Sequence, residues 1–240
     1  MGQNSSVQEI VIQQDKADII CEIFSNGVVH ASQKLKEYLG FEDPLGSLCP
    51  STDTLNDIFL VNFITFCIEK GVEERITTAK LSKQQSLLFG VDWIWTLHGP
   101  DKLVKLQIAV QALQMAESNI NETNNQSLLN ICNTKEIQLA DIYKDKSRFE
   151  KLEEFCRLIG ADCMGLFMVY GLPGRPKDIR GVLLDSVNKE NAKSLMLREH
   201  ALQNFILNTD TFIPAREMLE KCMTRKNGQK NIGKVYINFL

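Results

Sequence analysis

The chain has 240 residues, of which 44% are hydrophobic and 24% charged, and its formal net charge is -3. This length lies near the upper limit for one hydrophobic core, and the apolar content is enough to offset chain entropy, which argues against disorder of the whole chain. The negative charge and the scattered basic residues disfavour a nucleic-acid-binding protein, and no apolar segment is long enough for a secretory signal or a membrane span.

The first residues predict a flexible arm over 1–15, because they are polar apart from one short apolar group. Gly2 and Ser6 occupy the positions of an N-myristoylation signal, which makes Gly2 a candidate lipidation site. An ordinary frayed terminus explains the same residues equally well.

Two helices are predicted next. Apolar residues at three- and four-residue spacing indicate a first helix over 16–39, with a kink at Gly27. A loop rich in proline and glycine follows over 41–50. The second helix covers 55–68 behind candidate caps, and its apolar side chains point almost all the way round. Such a helix is either buried at the centre of the fold or shared between the core and a partner.

The middle of the chain contains two tryptophans and an alternating segment. A third helix is predicted to start near Ser82 and to lead into Trp93 and Trp95, which face the same way in a strand and opposite ways in a helix. Alternation over 104–110 predicts a half-buried strand, although helix remains an alternative. The polar, Asn-rich segment 116–145 predicts a flexible insertion.

The last third resumes with a capping box, Ser147 and Glu150, at the start of a helix. Apolar segments at 165–170 and 179–184 predict an antiparallel hairpin with a long tip. Further helices and a last strand, at 235–239, are predicted for the rest of the chain.

The predicted fold class is α+β. We expect one helix-rich globular domain over 16–240, with a small, mostly antiparallel sheet of about four strands, because regular βαβ alternation is missing.

No residue pattern predicts catalysis. The three histidines belong to no nucleophile or metal-ligand motif, and the glycine- and cation-containing segment 171–177 does not end as a phosphate-binding loop does. We therefore predict no enzyme activity, no cofactor and no metal site.

Several segments carry a resemblance to a known family: HASQKLKEYLGFEDP at 30–44, LLFGVDWIWTLHG at 87–99 and GLPGRPKDIRGVLLDSV at 171–187. They resemble the Rab-fifteen effector family. The resemblance implies a non-enzymatic adaptor that binds a GTP-loaded Rab GTPase, with related Rabs as possible further partners. It also implies a cytoplasmic protein, peripheral on early and recycling endosomes, that supports receptor recycling from the endocytic recycling compartment.

An effector must meet the apolar patch of a Rab with apolar anchors of its own. The candidate partner-contacting residues are Phe59, Phe63, Trp93, Trp95 and Arg175. Core packing is the alternative for each aromatic. Two other functions stay open: a scaffold or adaptor for an unrelated protein, and a small-molecule or lipid-binding module that uses the second helix as a pocket wall.

Overall fold

A computed structural model describes residues 3–115, 146–172, 174–191, 198–209, 211–223 and 236–239. The helices of this described part are α1 (Gln3–Leu35), α2 (Thr52–Glu69), α3 (Lys83–Phe89), α4 (Arg148–Ile159), α5 (Leu184–Asn191), α6 (Arg198–Asn208) and α7 (Ala215–Met223). The strands are β1 (Ile76–Lys80), β2 (Trp93–His98), β3 (Val104–Gln114), β4 (Cys163–Leu172), β5 (Arg175–Leu183), β6 (Phe212–Pro214) and β7 (Tyr236–Asn238).

The strands form one sheet in the order β1-β2-β3-β4-β5-β7-β6. Its pairs are antiparallel except for β3 with β4 and β6 with β7, which are parallel. The prediction of about four mostly antiparallel strands was wrong, because the sheet formed by the described residues has seven strands and is mixed, although the class is still α+β. β1 was missed because its residues ITTAK are mostly polar and solvent-facing, and β6 is too short to show alternation.

Helices cover the sheet on both faces, which makes two hydrophobic clusters. One cluster joins α1, α2 and α7 to the sheet, and the other joins α4, α5 and α6 to the opposite face. In β4, Met164, Leu166 and Met168 belong to the first cluster, whereas Phe167 and Val169 belong to the second. This alternation explains why β4 is an unbroken apolar segment: a central strand has a covered face on each side.

α1 begins at Gln3, earlier than the predicted start at residue 16, so the backbone of the predicted arm is helical from Gln3 onward. The flexibility of that arm stays a prediction, and Gly2 lies outside the described residues. The helix continues through Gly27 without a break. A Cβ atom at Gly27 would lie 3.1 Å from ring atoms of Phe63 and Phe66, so the glycine allows close approach of α1 and α2.

The capping box predicted at Ser147 and Glu150 was confirmed, and α3 has a capping box at Ser82 and Gln85 that was not predicted. The side-chain hydroxyls of Ser82 and Ser147 each accept a hydrogen bond from the backbone N–H three residues later, and the side chains of Gln85 and Glu150 accept one from the backbone N–H of the cap residue. Ser51 caps α2 by accepting from the Thr54 N–H. These local signals fixed the helix starts without tertiary information.

The hairpin of β4 and β5 is antiparallel as predicted, but its tip is shorter, because Leu172 already pairs with Arg175. The insertion predicted at 116–145 lies outside the described residues.

Candidate functional site

The aromatic candidates for partner contact form one buried cluster between α2 and β2, which we call the aromatic cluster. An exposed fraction of 0% is shared by Phe59, Phe63, Trp93 and Trp95. The rings of Trp93 and Trp95 lie 5.5 Å apart, edge to face, and Trp95 lies 5.1 Å from Phe63. Both tryptophans lie on a strand and face the same way, so they are core residues that no partner reaches in this conformation.

α2 carries apolar residues around most of its circumference, but the rest of the fold covers only part of that circumference. Phe59 and Phe63 pack on the sheet, and Phe66 contacts the ring of His30 on α1. The outward side nevertheless carries exposed aliphatic side chains at Val61, Ile64 and Ile68. Both interpretations of this helix therefore apply: one side is core and another remains open to solvent.

Arg175 lies at the first position of β5 and is exposed. Its Nη1 is 3.8 Å from a carboxylate oxygen of Asp178, which is held more closely by Arg180 at 2.9 Å. The Asp178 carboxylate is therefore shared, and the Arg175 guanidinium remains available to a partner. Its role as a contact residue stays a prediction.

The loop between α1 and α2 is organised by Asp43. The carboxylate of Asp43 accepts hydrogen bonds from the backbone N–H groups of Leu45, Ser47 and Leu48 at 2.8–3.1 Å. It also accepts one from the Ser47 hydroxyl at 2.7 Å, and these bonds, that of the Ser47 side chain foremost, lower the pKa of Asp43 to about 2. The loop is therefore held in one conformation by contacts within itself.

This rigid loop carries apolar side chains that have no place in the core. Leu45 is 87% exposed and Leu48 is 62% exposed. Phe41 and Tyr38, close by in sequence, are also exposed. Exposed apolar side chains are common singly, but a group of them on a rigid loop is typical of an interaction site.

A cavity of about 240 Å³ separates this loop from the β4–β5 hairpin. Its lining combines the loop with the hairpin: Tyr38, Leu39, Gly40, Phe41, Glu42, Cys49, Pro50, Gln114, Met115, Tyr170, Gly171, Leu172 and Pro176. A Cβ atom at Gly40 would be in ordinary van der Waals contact with Pro176, at 3.5 Å. We use "loop surface" for Tyr38, Phe41, Leu45, Leu48 and Pro176 around this cavity.

The floor of the cavity is tied to the core. The Tyr170 hydroxyl donates to Oδ1 of Asn56 on α2 at 2.9 Å, and both residues are buried. Burial raises the pKa of Tyr170 well above its usual value, so the hydroxyl stays protonated and keeps donating. Because α2 and β4 are joined at this point, the loop surface rests on a rigid base.

A larger polar cleft of about 690 Å³ lies between the starts of α2, α3 and α4. Its cations are paired: Lys80 lies 3.0 Å from Asp53, and Arg148 lies 2.7 Å from Asp92. Burial alone would lower the pKa of Lys80, but the hydrogen bonds that its ammonium group donates to the carboxylates of Asp57 and Asp53 on α2 raise it, so Lys80 stays charged. The arrangement is that of an ion-paired junction between helices.

Among the residues that the structure describes, no group of three or more histidine, cysteine, aspartate or glutamate side chains is placed to hold a metal ion. Within the same ranges, no helix is both long enough and apolar enough to cross a membrane.

Sequence reasoning missed the leucines of the loop surface. The segment 41–50 was classified as a loop from its prolines and glycine, and its apolar residues were not considered further. A usable signal was present, because aspartate followed by proline, glycine and serine is typical of a turn in which the carboxylate binds the backbone. Leu45 and Leu48 inside such a turn have no regular element to bury them.

Comparison with known proteins gives two consistent matches. The model of a family described as Rab15 effector matches residues 5–239. A mouse protein named Rab15 effector protein is 44% identical over 242 residues, and the match covers 100% of each chain.

Proposed function

Since the chain belongs to the Rab15 effector family, we propose that it binds a Rab GTPase in the GTP-loaded state as a non-enzymatic effector. In this proposal it supports receptor recycling from the endocytic recycling compartment. It acts in the cytoplasm and on early and recycling endosomes, where the Rab recruits it to the membrane. Rabs related to the first partner are further candidates.

The observation that carries the proposal is the loop surface. The switch loops of a Rab change conformation when GTP is replaced by GDP. An effector therefore needs a surface that binds one conformation of these loops by shape and apolar contact, and it needs no catalytic groups. Leu45 and Leu48 offer two exposed anchors, and the cavity lined by other residues of the same loop is large enough to receive one side chain of the partner. This combination suits an interface in which the leucines pack on the partner and the cavity receives one of the partner's side chains.

The rigidity of the loop supports the same function. Ordering a flexible loop on binding costs free energy, which subtracts from the affinity. Here the hydrogen bonds of Asp43 order the loop before the partner arrives. Arg175, on the hairpin next to Pro176, adds a cation that favours acidic side chains of a partner.

Titration of the purified chain against its Rab tests the proposal. The Rab is loaded with a non-hydrolysable GTP analogue or with GDP, and we expect clearly tighter binding to the GTP form. Equal affinity for the two forms would remove the effector function. Such a result would favour the second candidate, an adaptor for an unrelated protein.

The loop surface is tested in the same titration. The double variant Leu45→Ala, Leu48→Ala removes two anchors, and we expect it to lose about 2 kcal/mol or more of binding free energy with thermal stability unchanged. Leu158→Ala on α4 is the matched control, because that leucine is also exposed but lies on a helix of the opposite face. Unchanged affinity in the double variant, with the GTP preference intact, would place the Rab contact elsewhere.

We also propose that Gly2 is acylated and that the acyl chain binds the membrane in addition to the Rab. A single myristoyl chain gives only marginal membrane binding, so the Rab would supply the other anchor. Intact-mass measurement on protein made in eukaryotic cells tests this, with Gly2→Ala as the control. An unmodified or merely acetylated terminus rules the modification out.

A further inference from the structure

The polar cleft lies where the helices α2 and α4 begin. α2 has 18 residues and α4 has 12, and the first residue of each, Thr52 and Arg148, lines the cleft. The peptide dipoles of a helix add up to a partial positive charge at its N-terminus, where the first backbone N–H groups also lack partners within the helix. Helix ends of this kind favour a ligand that accepts hydrogen bonds, and an anion above all.

The cap of α2 leaves two of its first N–H groups open. The Ser51 hydroxyl accepts from the Thr54 N–H at 3.2 Å, and the Ser51 carbonyl accepts from the Leu55 N–H at 3.0 Å. In the part of the chain that the structure describes, the backbone N–H groups of Thr52 and Asp53 donate to no other group. Both residues line the cleft, so two backbone donors remain for a ligand at this helix end.

A buried side chain supplies a third donor, which is independent of the helix end. Asn56 is only 3% exposed. Its Oδ1 accepts from the Tyr170 hydroxyl at 2.9 Å, whereas its Nδ2 donates to no group among the described residues. The Nδ2 atom is not closed off from solvent, and the cleft is the open space that Asn56 lines. A buried amino group without an acceptor destabilises the fold, and a ligand that brings an acceptor removes this cost.

The three donors lie at one end and on one side of α2. Asn56 follows Thr52 by four residues and Asp53 by three, and these spacings place residues above one another on a helix. Side chains of a helix lean toward its N-terminus, which is also the direction in which the first N–H groups point. A single group with several acceptor atoms can therefore bind the Asn56 side chain and the helix end together.

The charges of the cleft do not replace these donors. Lys80 binds Asp53 at 3.0 Å and Asp57 at 2.5 Å. Arg148 binds Asp92 at 2.7 Å. The carboxylate of Asp53 would repel an anion if it stood alone, but it is held by the ammonium group of Lys80. The three open donors and the positive end of α2 therefore determine which ligand fits.

We propose that the polar cleft binds a phosphate monoester, whose oxygens accept hydrogen bonds from the N–H groups of Thr52 and Asp53 and from Nδ2 of Asn56. A phosphate monoester carries three strong acceptor oxygens on one phosphorus atom, which matches three donors at one helix end. The cleft volume of about 690 Å³ is far larger than a phosphate group, so it also has room for the organic part of the ester. A soluble ester and a lipid headgroup share this chemistry.

NMR titration of the isotope-labelled full chain tests the site without a Rab. Sodium phosphate and glycerol phosphate are added in turn, and sodium chloride at matched ionic strength is the control. We expect both phosphates to cause saturable shifts of the backbone amides of Thr52 and Asp53 and of the side-chain amide of Asn56. Absence of these shifts, or equal shifts with chloride, overturns the proposal.

Two variants of Thr52 isolate the contribution of the backbone N–H. Thr52→Pro removes this donor, and proline is accepted at the first helical position because Ser51 before it is already extended, with φ −71° and ψ 158°. We expect the phosphate dissociation constant to rise by about tenfold, as for loss of one hydrogen bond to a charged group. Thr52→Val is the matched control, because both variants lose the hydroxyl that donates to Gln114 and only valine keeps the N–H. Equal affinity of the two variants contradicts the backbone contact and overturns the proposal.

Asn56→Asp tests the side-chain donor and decides the matter if Thr52→Pro does not fold. The aspartate keeps an acceptor for the Tyr170 hydroxyl but replaces the donor by a carboxylate, so we expect phosphate binding to fall by about tenfold or more. Wild-type affinity in this variant overturns the proposal. Cosedimentation with phosphatidylcholine vesicles, with and without phosphatidylinositol phosphate, then identifies the source of the phosphate. Vesicle binding that Asn56→Asp abolishes indicates a lipid headgroup, whereas a wild-type chain that binds glycerol phosphate but not these vesicles indicates a soluble ester.

Discussion

The aromatic cluster and the loop surface are both rich in apolar side chains, yet only the loop surface is open to solvent. The cluster is closed because strand alternation places both tryptophans on the face of β2 that α2 covers. The loop surface is open because Asp43 holds the chain in a turn that keeps its leucines away from the core. The four aromatics of the cluster thus belong to the core, whereas the aromatic and leucine side chains of the loop surface are open to solvent.

The largest effect is expected from mutation of the aromatic cluster, and it is a loss of folding stability. Trp95→Ala removes a fully buried ring that contacts Phe24 and Phe63, and we expect a loss of about 3 to 5 kcal/mol of unfolding free energy. Chemical denaturation measures this loss, and Rab affinity per folded molecule should stay unchanged. A stable variant with weakened Rab binding would reverse the comparison.

Trp95→Phe is the matched control for that variant. The buried indole N–H of Trp95 has no hydrogen-bond partner in the described part of the chain, so the change removes no hydrogen bond there. We expect it to cost much less than the alanine variant, because most of the ring volume remains.

A smaller effect is expected at the contact between α1 and α2. Gly27→Val places methyl groups against the rings of Phe63 and Phe66, and overpacking of this kind costs about 1 to 3 kcal/mol. Thermal unfolding measures the change. Asn26→Val is the control, because Asn26 is exposed and should tolerate valine nearly without cost. If both variants are equally stable, the helices are less closely packed than the structure indicates.

In the loop surface the expected effect is on binding rather than folding. Asp43→Ala removes the acceptor of the loop hydrogen bonds, so the loop must be ordered during binding, and we expect Rab affinity to fall roughly three- to tenfold. The melting temperature should stay close to that of the wild type. Isothermal titration calorimetry measures the Rab affinity of this variant and of Ser47→Ala, which removes only one hydrogen bond. The comparison shows how much the other hydrogen bonds of Asp43 contribute. Unchanged affinity would show that the order of the loop is not required.

The smallest effect concerns pH. The pKa of Asp43 lies near 2, below its usual value of 3.8, so the bonds of the ionised carboxylate stabilise the folded loop fully above about pH 4. That contribution declines as pH falls through the folded pKa. A carbon-detected NMR titration should give a midpoint near 2 for Asp43. A midpoint at the usual value would mean that the loop hydrogen bonds are absent in solution.

Local sequence signals predicted the parts of the fold that local chemistry decides. The serine caps of α2 and α4 and the hairpin of β4 with β5 depend on neighbouring residues, and these predictions were confirmed. The number of strands depends on pairing between distant segments. β1 is stabilised by its pairing with β2 and by the ion pairs of Lys80 with the carboxylates of α2. No local sequence pattern predicts either contact.

The candidate site was harder to predict than the fold. Aromatic residues near a mostly apolar helix were plausible anchors, but burial is a property of the whole fold and cannot be read from one segment. Arg175 was predicted to be a contact residue, and it lies beside the loop surface that now carries the proposal. Leu45 and Leu48 were passed over, because turns are searched for glycine and proline rather than for exposed leucine.

The packing of α1 on α7 has a consequence for synthesis of the protein. Sγ of Cys21 on α1 lies 3.4 Å from Sδ of Met223 on α7, across 202 residues of sequence. At ordinary rates of translation, α1 leaves the ribosome on the order of ten seconds before α7 is made. The apolar face of α1 therefore lacks part of its cover during that time, so its hydrophobic side chains stay exposed in the nascent chain until α7 has been made.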